Sequence, residues 1–138
     1  MSKNGSAPTV YLETSPTGEE GSWSDFIVCT NDENGNSNND GTVITLANVG
    51  DKVYFRAKQD NERFGLAYSS YNYNSFVMTG KIAASGNINT LLKADGSVLD
   101  LTGRGGCYSY MFENCTSLTQ APELPATTLA ETCYSRMF

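Results

Sequence analysis

The sequence has no histidine, few cations and no long apolar run. Without histidine, every Ser-His, Cys-His and His-metal arrangement is excluded, so catalysis would fall to carboxylate, Lys, Tyr or thiol groups. Lysine and arginine number 9 against 15 acidic residues, a net charge of −6, whereas nucleic-acid affinity comes largely from cations. No run approaches the roughly 18 to 20 apolar residues that span a bilayer. We therefore expect no enzyme activity, no cofactor, no nucleic-acid partner and no membrane insertion.

Uncharged polar residues dominate what is present, since Asn, Ser, Thr and Gly make up 54 of the 138 residues. After a polar stretch over residues 1–6, predicted to be flexible and without the apolar core of a secretory signal, short alternating runs are separated by turn clusters. This pattern is typical of antiparallel strands, and residues 42–47 and 52–58 are predicted to pair as a hairpin. About six or seven strands predict a mainly β fold, a β-sandwich over residues 7–104. Residues 87–92 fit either a short helix or a last strand.

A Gly-Arg-Gly-Gly stretch at residues 103–106 ends this pattern, and a repeat follows it over residues 105–138. The six residues from Cys107 to Phe112 return 26 residues later, from Cys133 to Phe138, with five of six identical. A fixed period of this length is typical of solenoid proteins. Because a solenoid repeat buries its apolar face only against its neighbours, about three repeats are usually needed for stability. We expect the chain to be the amino-terminal piece of a longer protein.

The repeat also has the spacing of a short helix. Thr128 and Glu131 have the form of a capping box, and Leu129, Cys133 and Met137 recur every four residues. Each repeat is therefore predicted to be one short helix followed by an extended segment, residues 118–125 in the first copy.

These residues resemble a known family. The stretch from Cys107 to Phe138, with its Cys-Tyr-Ser-Tyr-Met-Phe and Leu-Thr-Gln-Ala-Pro-Glu-Leu-Pro segments, closely resembles the BspA-like leucine-rich repeats. Such repeats occur in surface proteins of Bacteroides and related gut bacteria, and in phages of those hosts. The resemblance implies adhesion or ligand recognition outside the cell, with a protein or glycan on a host surface as partner. It also implies scaffold residues that face the solenoid interior: Cys107, Met111, Phe112, Cys115, Leu118, Leu124, Leu129 and Cys133.

The missing export signal favours a second interpretation. A phage head or tail fibre assembles without export, and its amino-terminal β-domain would dock on a capsid or tail protein. Such a virion component would more often be a trimer, whereas a surface adhesin is expected to be a monomer.

A tyrosine-rich tract over residues 68–75 is the best candidate contact surface. Its Tyr, Ser and Asn residues have the composition of an antibody-like recognition loop, in which rigid rings supply area and polar groups supply adaptable hydrogen bonds. Tyr68, Tyr71 and Tyr73 are the candidate contact residues, with Trp23 as an addition. The alternative, which we favour on frequency, is a hairpin whose tyrosines cover the sheet or pack on a partner subunit.

Two other polar features are weaker candidates. Asp32, Asn34, Asn36 and Asp40 alternate loosely as in calcium loops, yet no glutamate stands at the twelfth position, so a solvated hairpin loop is favoured. The acidic pairs at residues 19–20, 60–62 and 95–100 lie in predicted turns and are interpreted as surface charge. The four cysteines include no Cys-x-x-Cys pair, and those in the repeats are expected to be buried apolar residues.

Overall fold

The computed structural model describes residues 1–30 and 38–138, and its regular secondary structure is mainly short strands. The strands are β1 (Ser2–Lys3), β2 (Leu12–Ser15), β3 (Ser24–Phe26), β4 (Tyr54–Ala57), β5 (Asn74–Ser75), β6 (Ile82–Ala83) and β7 (Leu118–Gln120). The one helix of these residues is a 3₁₀ turn, Ile88–Leu91, which decides the ambiguous segment in favour of helix. The predicted mainly β class is confirmed. Nothing helical in the described part of the chain is long and apolar enough to cross a membrane.

The largest sheet has the order β3-β2-β4, and both pairings are antiparallel. Along β4, Phe55 and Ala57 face the core and Tyr54 is exposed, as alternation along a strand requires. The Phe55 ring packs edge-on against Phe26 and Phe76, with ring centroids 5.2 and 5.4 Å apart. One face of this sheet therefore lies on the core.

The predicted hairpin between residues 42–47 and 52–58 does not form, and residues 42–47 contain no strand. β4 pairs with β2 instead, which places Leu12 opposite Ala57 in the core and Glu13 opposite Arg56. Arg56 Nε donates to Glu13 Oε1 at 2.5 Å. Cross-strand side-chain pairs stabilise a sheet. β4 therefore pairs with β2, a distant strand of complementary charge and with a buried face, and not with its neighbour in the sequence.

The first residues, predicted to be flexible, belong to the fold. β1 pairs antiparallel with β5, with Ser2 opposite Ser75, and the Lys3 N–H donates to the Cys29 carbonyl at 2.8 Å. Met1 packs against the core. The amino-terminal strand thus lies between two segments that are remote from it in the sequence.

Two stretches of consecutive turns run parallel to each other, and we call them the inner run (residues 106–112) and the outer run (residues 131–138). The N–H groups of residues 106, 108, 110 and 112 donate to the carbonyls of residues 131, 133, 135 and 137, at 2.7 to 3.0 Å. Those of residues 109, 111 and 113 donate three residues back, at 3.0 to 3.3 Å. Alternate N–H groups therefore close turns within the inner run and join it to the outer run.

The helices predicted for these runs are absent. Every fourth residue has a positive φ: Gly106 at 71° and Tyr110 at 61° in the inner run, Thr132 at 54° and Arg136 at 48° in the outer run. A right-handed helix cannot contain this left-handed conformation. The prediction was wrong because a chain of four-residue turns produces the same apolar spacing of four.

Aromatic rings stack across the runs and onto Phe64 and Phe76, which lie in and just after a hairpin formed by residues 64–66 and 72–74. The rings form two columns with centroid separations of 5.2 to 6.0 Å, Phe64–Tyr108–Tyr134 and Phe76–Phe112–Phe138. One core therefore contains side chains from both sides of residue 105. The division into two domains there stays a prediction.

Candidate functional site

The tyrosine-rich tract lies at the tip of the hairpin. The Leu66 N–H donates to the Asn72 carbonyl at 3.0 Å, and the Asn74 N–H donates to the Phe64 carbonyl at 2.8 Å. Within the tip, the Ser69 hydroxyl oxygen accepts hydrogen bonds from the N–H groups of residues 71 and 72, at 3.3 and 3.0 Å. Such local bonds between side chain and backbone fix a turn in one conformation. The tip therefore presents its side chains from a defined backbone.

Two of the three candidate tyrosines are open to solvent, and the third is held in the fold. Tyr68 and Tyr71 are 77% and 78% exposed. Tyr73 stacks on Tyr110, with ring centroids 4.5 Å apart, and its hydroxyl donates to Glu113 Oε2 at 3.3 Å. Burial, followed by the charge of Glu113, raises the pKa of Tyr73. Tyr68 and Tyr71 therefore remain candidate contact residues, whereas Tyr73 packs within the fold.

A surface residue that the sequence analysis missed extends this support. The Arg136 guanidinium lies over the Tyr110 ring, 5.8 Å from its centroid, so that Tyr73, Tyr110 and Arg136 form a column in which Tyr110 is buried and Arg136 is exposed. Tyr110 and Arg136 occupy the one position of six at which the two copies of the repeat differ. That difference was the available signal, because positions that stack in the core of both copies are expected to match, whereas the buried Tyr110 is covered by a residue of another type, the exposed Arg136.

Trp23 lies on the three-stranded sheet, and the structure does not bring it together with the tyrosines. The Arg56 guanidinium is 4.0 Å from the centroid of its ring, and Arg56 also pairs with Glu13 and with Glu20, the latter at 2.7 Å. The indole Nε1 is buried and has no hydrogen-bond partner within the described residues. Trp23 therefore packs beneath an ion-pair cluster.

Most of the predicted scaffold residues are buried. These are Cys107, Met111, Phe112, Cys115 and Cys133, while Leu118 is half-buried. All four cysteines are free thiols. Burial raises the pKa of Cys107 to about 12 and also raises the pKa of the other two repeat cysteines, so these thiols are core side chains with little thiolate character.

Leu124 and Leu129 were predicted to face the interior, but they are 40% and 57% exposed. Isolated bridges join residue 87 to 123 and residue 100 to 128, and so place the two leucines beside Ile88 and Leu101, which are buried. Leu124 and Leu129 thus occupy the register of core residues, yet no part of the described chain covers them. Their inward orientation was implied by the resemblance to leucine-rich repeats, and the helical stripe that also contained Leu129 does not form.

Asp32, Asn34 and Asn36 of the calcium-like tract lie outside the described residues. Asp40 accepts hydrogen bonds from Thr30, from its N–H at 2.7 Å and from its hydroxyl at 2.5 Å. These bonds hold the pKa of Asp40 below its usual range. Across residues 1–30 and 38–138, no three acidic or thiol side chains are grouped to hold a metal ion.

At least one carboxylate of each acidic pair that a glycosidase would need is engaged in a local contact. Glu20 pairs with Arg56 and Glu62 with Arg63, while Asp95 and Asp100 accept N–H groups two residues further along the chain. Each contact lowers the pKa of its carboxyl group. A general acid needs a raised pKa, so these carboxylates are shifted in the opposite direction.

We compared the chain with known protein families, curated proteins and solved structures, and none of them matches it. The likeness to BspA-like repeats therefore rests on the residues quoted above.

Proposed function

We propose that this chain is a non-catalytic recognition or adhesion protein of a cell surface, the amino-terminal portion of a BspA-like leucine-rich-repeat protein. In this proposal, residues 7–104 are a β-sandwich that caps the array, and the inner and outer runs belong to the first repeats. The partner is a protein or glycan on a host surface.

The two exposed tyrosines of the hairpin tip carry the proposal. About three quarters of Tyr68 and Tyr71 is open to water, while Ser69 fixes the backbone between them. A rigid ring loses little conformational entropy on binding and offers an apolar face to a protein side chain or a sugar ring. Exposed aromatic residues on an ordered turn are therefore suited to contact a ligand.

The stacked runs support the repeat architecture. Two copies of nearly the same six residues lie in parallel register, with equivalent rings 5.6 and 5.7 Å apart. Burial of one copy's apolar face against the next is how repeat proteins build a core.

Binding of the labelled chain to a glycan array and to host cells tests the function. Tyr68→Ser combined with Tyr71→Ser should weaken binding about tenfold or more, because truncating an anchoring aromatic side chain typically costs over ~1 kcal/mol. Tyr11→Ser is the matched control, since it removes a half-exposed ring outside the hairpin. Equal binding by the double variant and the control would remove the tyrosines from the contact surface.

Light scattering at a few micromolar separates the adhesin from the fibre. A monomer is expected of the adhesin, and a trimer would instead favour a phage appendage that docks on a capsid or tail protein.

A further inference from the structure

The outer run leaves a row of backbone N–H groups unused. In the inner run, alternate N–H groups donate to the outer run. Their equivalents, 26 residues later, belong to Thr132, Tyr134, Arg136 and Phe138, and none of these donates to a backbone carbonyl among the described residues. Since Thr132 and Arg136 repeat the positive φ of Gly106 and Tyr110, we expect these four N–H groups to face away from the inner run in a row.

Most carbonyl groups along the outer run already accept hydrogen bonds. Those of residues 131, 133, 135 and 137 accept from the inner run, and those of residues 130, 132 and 134 accept from the N–H groups three residues further along the chain. Between residues 130 and 135, the outer edge therefore has N–H donors that are not bonded to a carbonyl, while every carbonyl there already accepts a hydrogen bond. Because a second copy of this edge would bring donors against donors, the fitting occupant is a segment that presents carbonyl oxygens at alternate residues.

Apolar side chains at the same end are uncovered as well. Phe112 is 5% exposed because Phe138 stacks on it, whereas Phe138 itself is 58% exposed. Leu124 and Leu129 are exposed beside buried neighbours of the preceding layer. A groove of about 310 Å³ beside β7 is lined by Phe112, Leu118, Phe138 and their neighbours. An apolar surface thus accompanies the row of donors.

Two buried polar atoms at this end also lack partners. The Tyr108 hydroxyl of the inner run donates to Asn89 Oδ1 at 2.7 Å. The equivalent hydroxyl of Tyr134, and the hydroxyl of Thr132, are buried without a hydrogen-bond partner in the described part of the chain. Buried polar groups are normally satisfied, so the outer run has the form of an interior layer.

We propose that this end of the molecule docks one further layer of the chain's own 26-residue pattern, in parallel register. The proposal rests on the repeat architecture proposed above and names the partner of its outer end. The argument is continuity, because the inner and outer runs already make this contact through four hydrogen bonds and two stacked ring pairs. Another Cys-Tyr-Ser-Arg-Met-Phe run brings carbonyls to the four donors and a ring to cover Phe138.

The test appends a second copy of residues 113–138 after Phe138 and measures amide hydrogen exchange by NMR. The copies of residues 131, 133, 135 and 137 then supply the missing acceptors. We expect exchange at residues 132, 134, 136 and 138 to slow by about tenfold or more. Ser135 and Met137, whose N–H groups already close turns, should slow much less.

A chain with the same 26 residues appended in reversed order is the matched control, and its four amides should exchange as in the 138-residue protein. Equal protection in both extended chains would overturn the parallel register. A synthetic peptide of residues 113–138, added to the unmodified protein, repeats the measurement without depending on the folding of an extended chain.

If neither the appended copy nor the peptide protects the four amides, the proposal is wrong. Protection that rises with the concentration of the unmodified protein alone would identify a second copy as the occupant and overturn it as well. Ligand binding through Tyr68 and Tyr71 is measured separately, so failure of the docking proposal and failure of the proposed function are distinguishable.

Discussion

Buried asparagines join segments that are far apart in the sequence. Asn61 Nδ2 donates to the carbonyls of Tyr11 and Leu91, at 3.0 and 2.8 Å, and its Oδ1 accepts the Tyr11 N–H at 2.8 Å. An amide side chain carries both a donor and an acceptor, so it can replace a strand partner where irregular segments meet. The sequence pattern could not reveal this role, because asparagine is also typical of turns.

Tyr108→Phe tests one such bond in the core. The substitution removes the donor to Asn89 and leaves a buried acceptor without a partner, so we expect the free energy of unfolding to fall by about 1–3 kcal/mol. Tyr134→Phe is the control, because its buried hydroxyl has no partner among the described residues, and its stability should stay level or rise. Urea titration followed by Trp23 fluorescence measures both, and equal losses would contradict the role of Asn89.

Among the elements, the inner run and the tyrosine hairpin approach so closely that one position requires glycine. A Cβ at Gly106 would collide with the Leu66 backbone and lie 2.5 Å from the Ala67 nitrogen, whereas a Cβ at Gly103 would meet nothing within 4 Å. Both glycines have positive φ. Gly103→Ala should therefore cost only the backbone strain of ~1–2 kcal/mol.

Gly106→Ala adds a collision between two backbones, and we expect it to cost about 3 kcal/mol or more. Thermal melts of the two variants measure the difference. Similar melting temperatures would show that the hairpin can move away from the inner run.

Local patterns located strands but could not assign their partners. The alternating run predicted at residues 52–58 contains β4. The pairing of β2 with β4 depends on Glu13, Arg56 and a shared buried face, which no local period encodes. The same limit explains the wrong helices, since a spacing of four does not distinguish a helix from successive turns. The 26-residue period itself was visible in the sequence, and it is the spacing at which equivalent rings stack.

For the candidate site, composition identified the hairpin but could not tell which of its side chains are exposed and which are packed in the fold. Tyr68 and Tyr71 are exposed, as a contact surface needs. The sequence analysis grouped Tyr73 and Trp23 with them. The contacts that hold these two rings in the fold are made with Tyr110 and Arg56, which come from distant parts of the chain, so no local pattern reveals them.

For the whole molecule, a thiol and a tyrosine hydroxyl that pack in the core make the free energy of unfolding sensitive to high pH. Burial raises the pKa of Cys107 from 9.0 and that of Tyr134 from 10.0, each to about 12. Above pH ~9 the unfolded chain releases protons that the folded chain retains, so the free energy of unfolding should fall as pH rises. Urea unfolding at pH values of about 7.5, 9.5 and 10.5 measures this, and equal stability at all three would contradict it.

The position of β1 also sets an order of events during synthesis. A ribosome releases Ser2 and Lys3 before their partners, which are Cys29 and the strand at residues 74–75. β1 must therefore wait unpaired while dozens of later residues are made, and pairing across such a separation is slow. This strand can thus close its pairing only after β2, β3 and β4 have all left the ribosome.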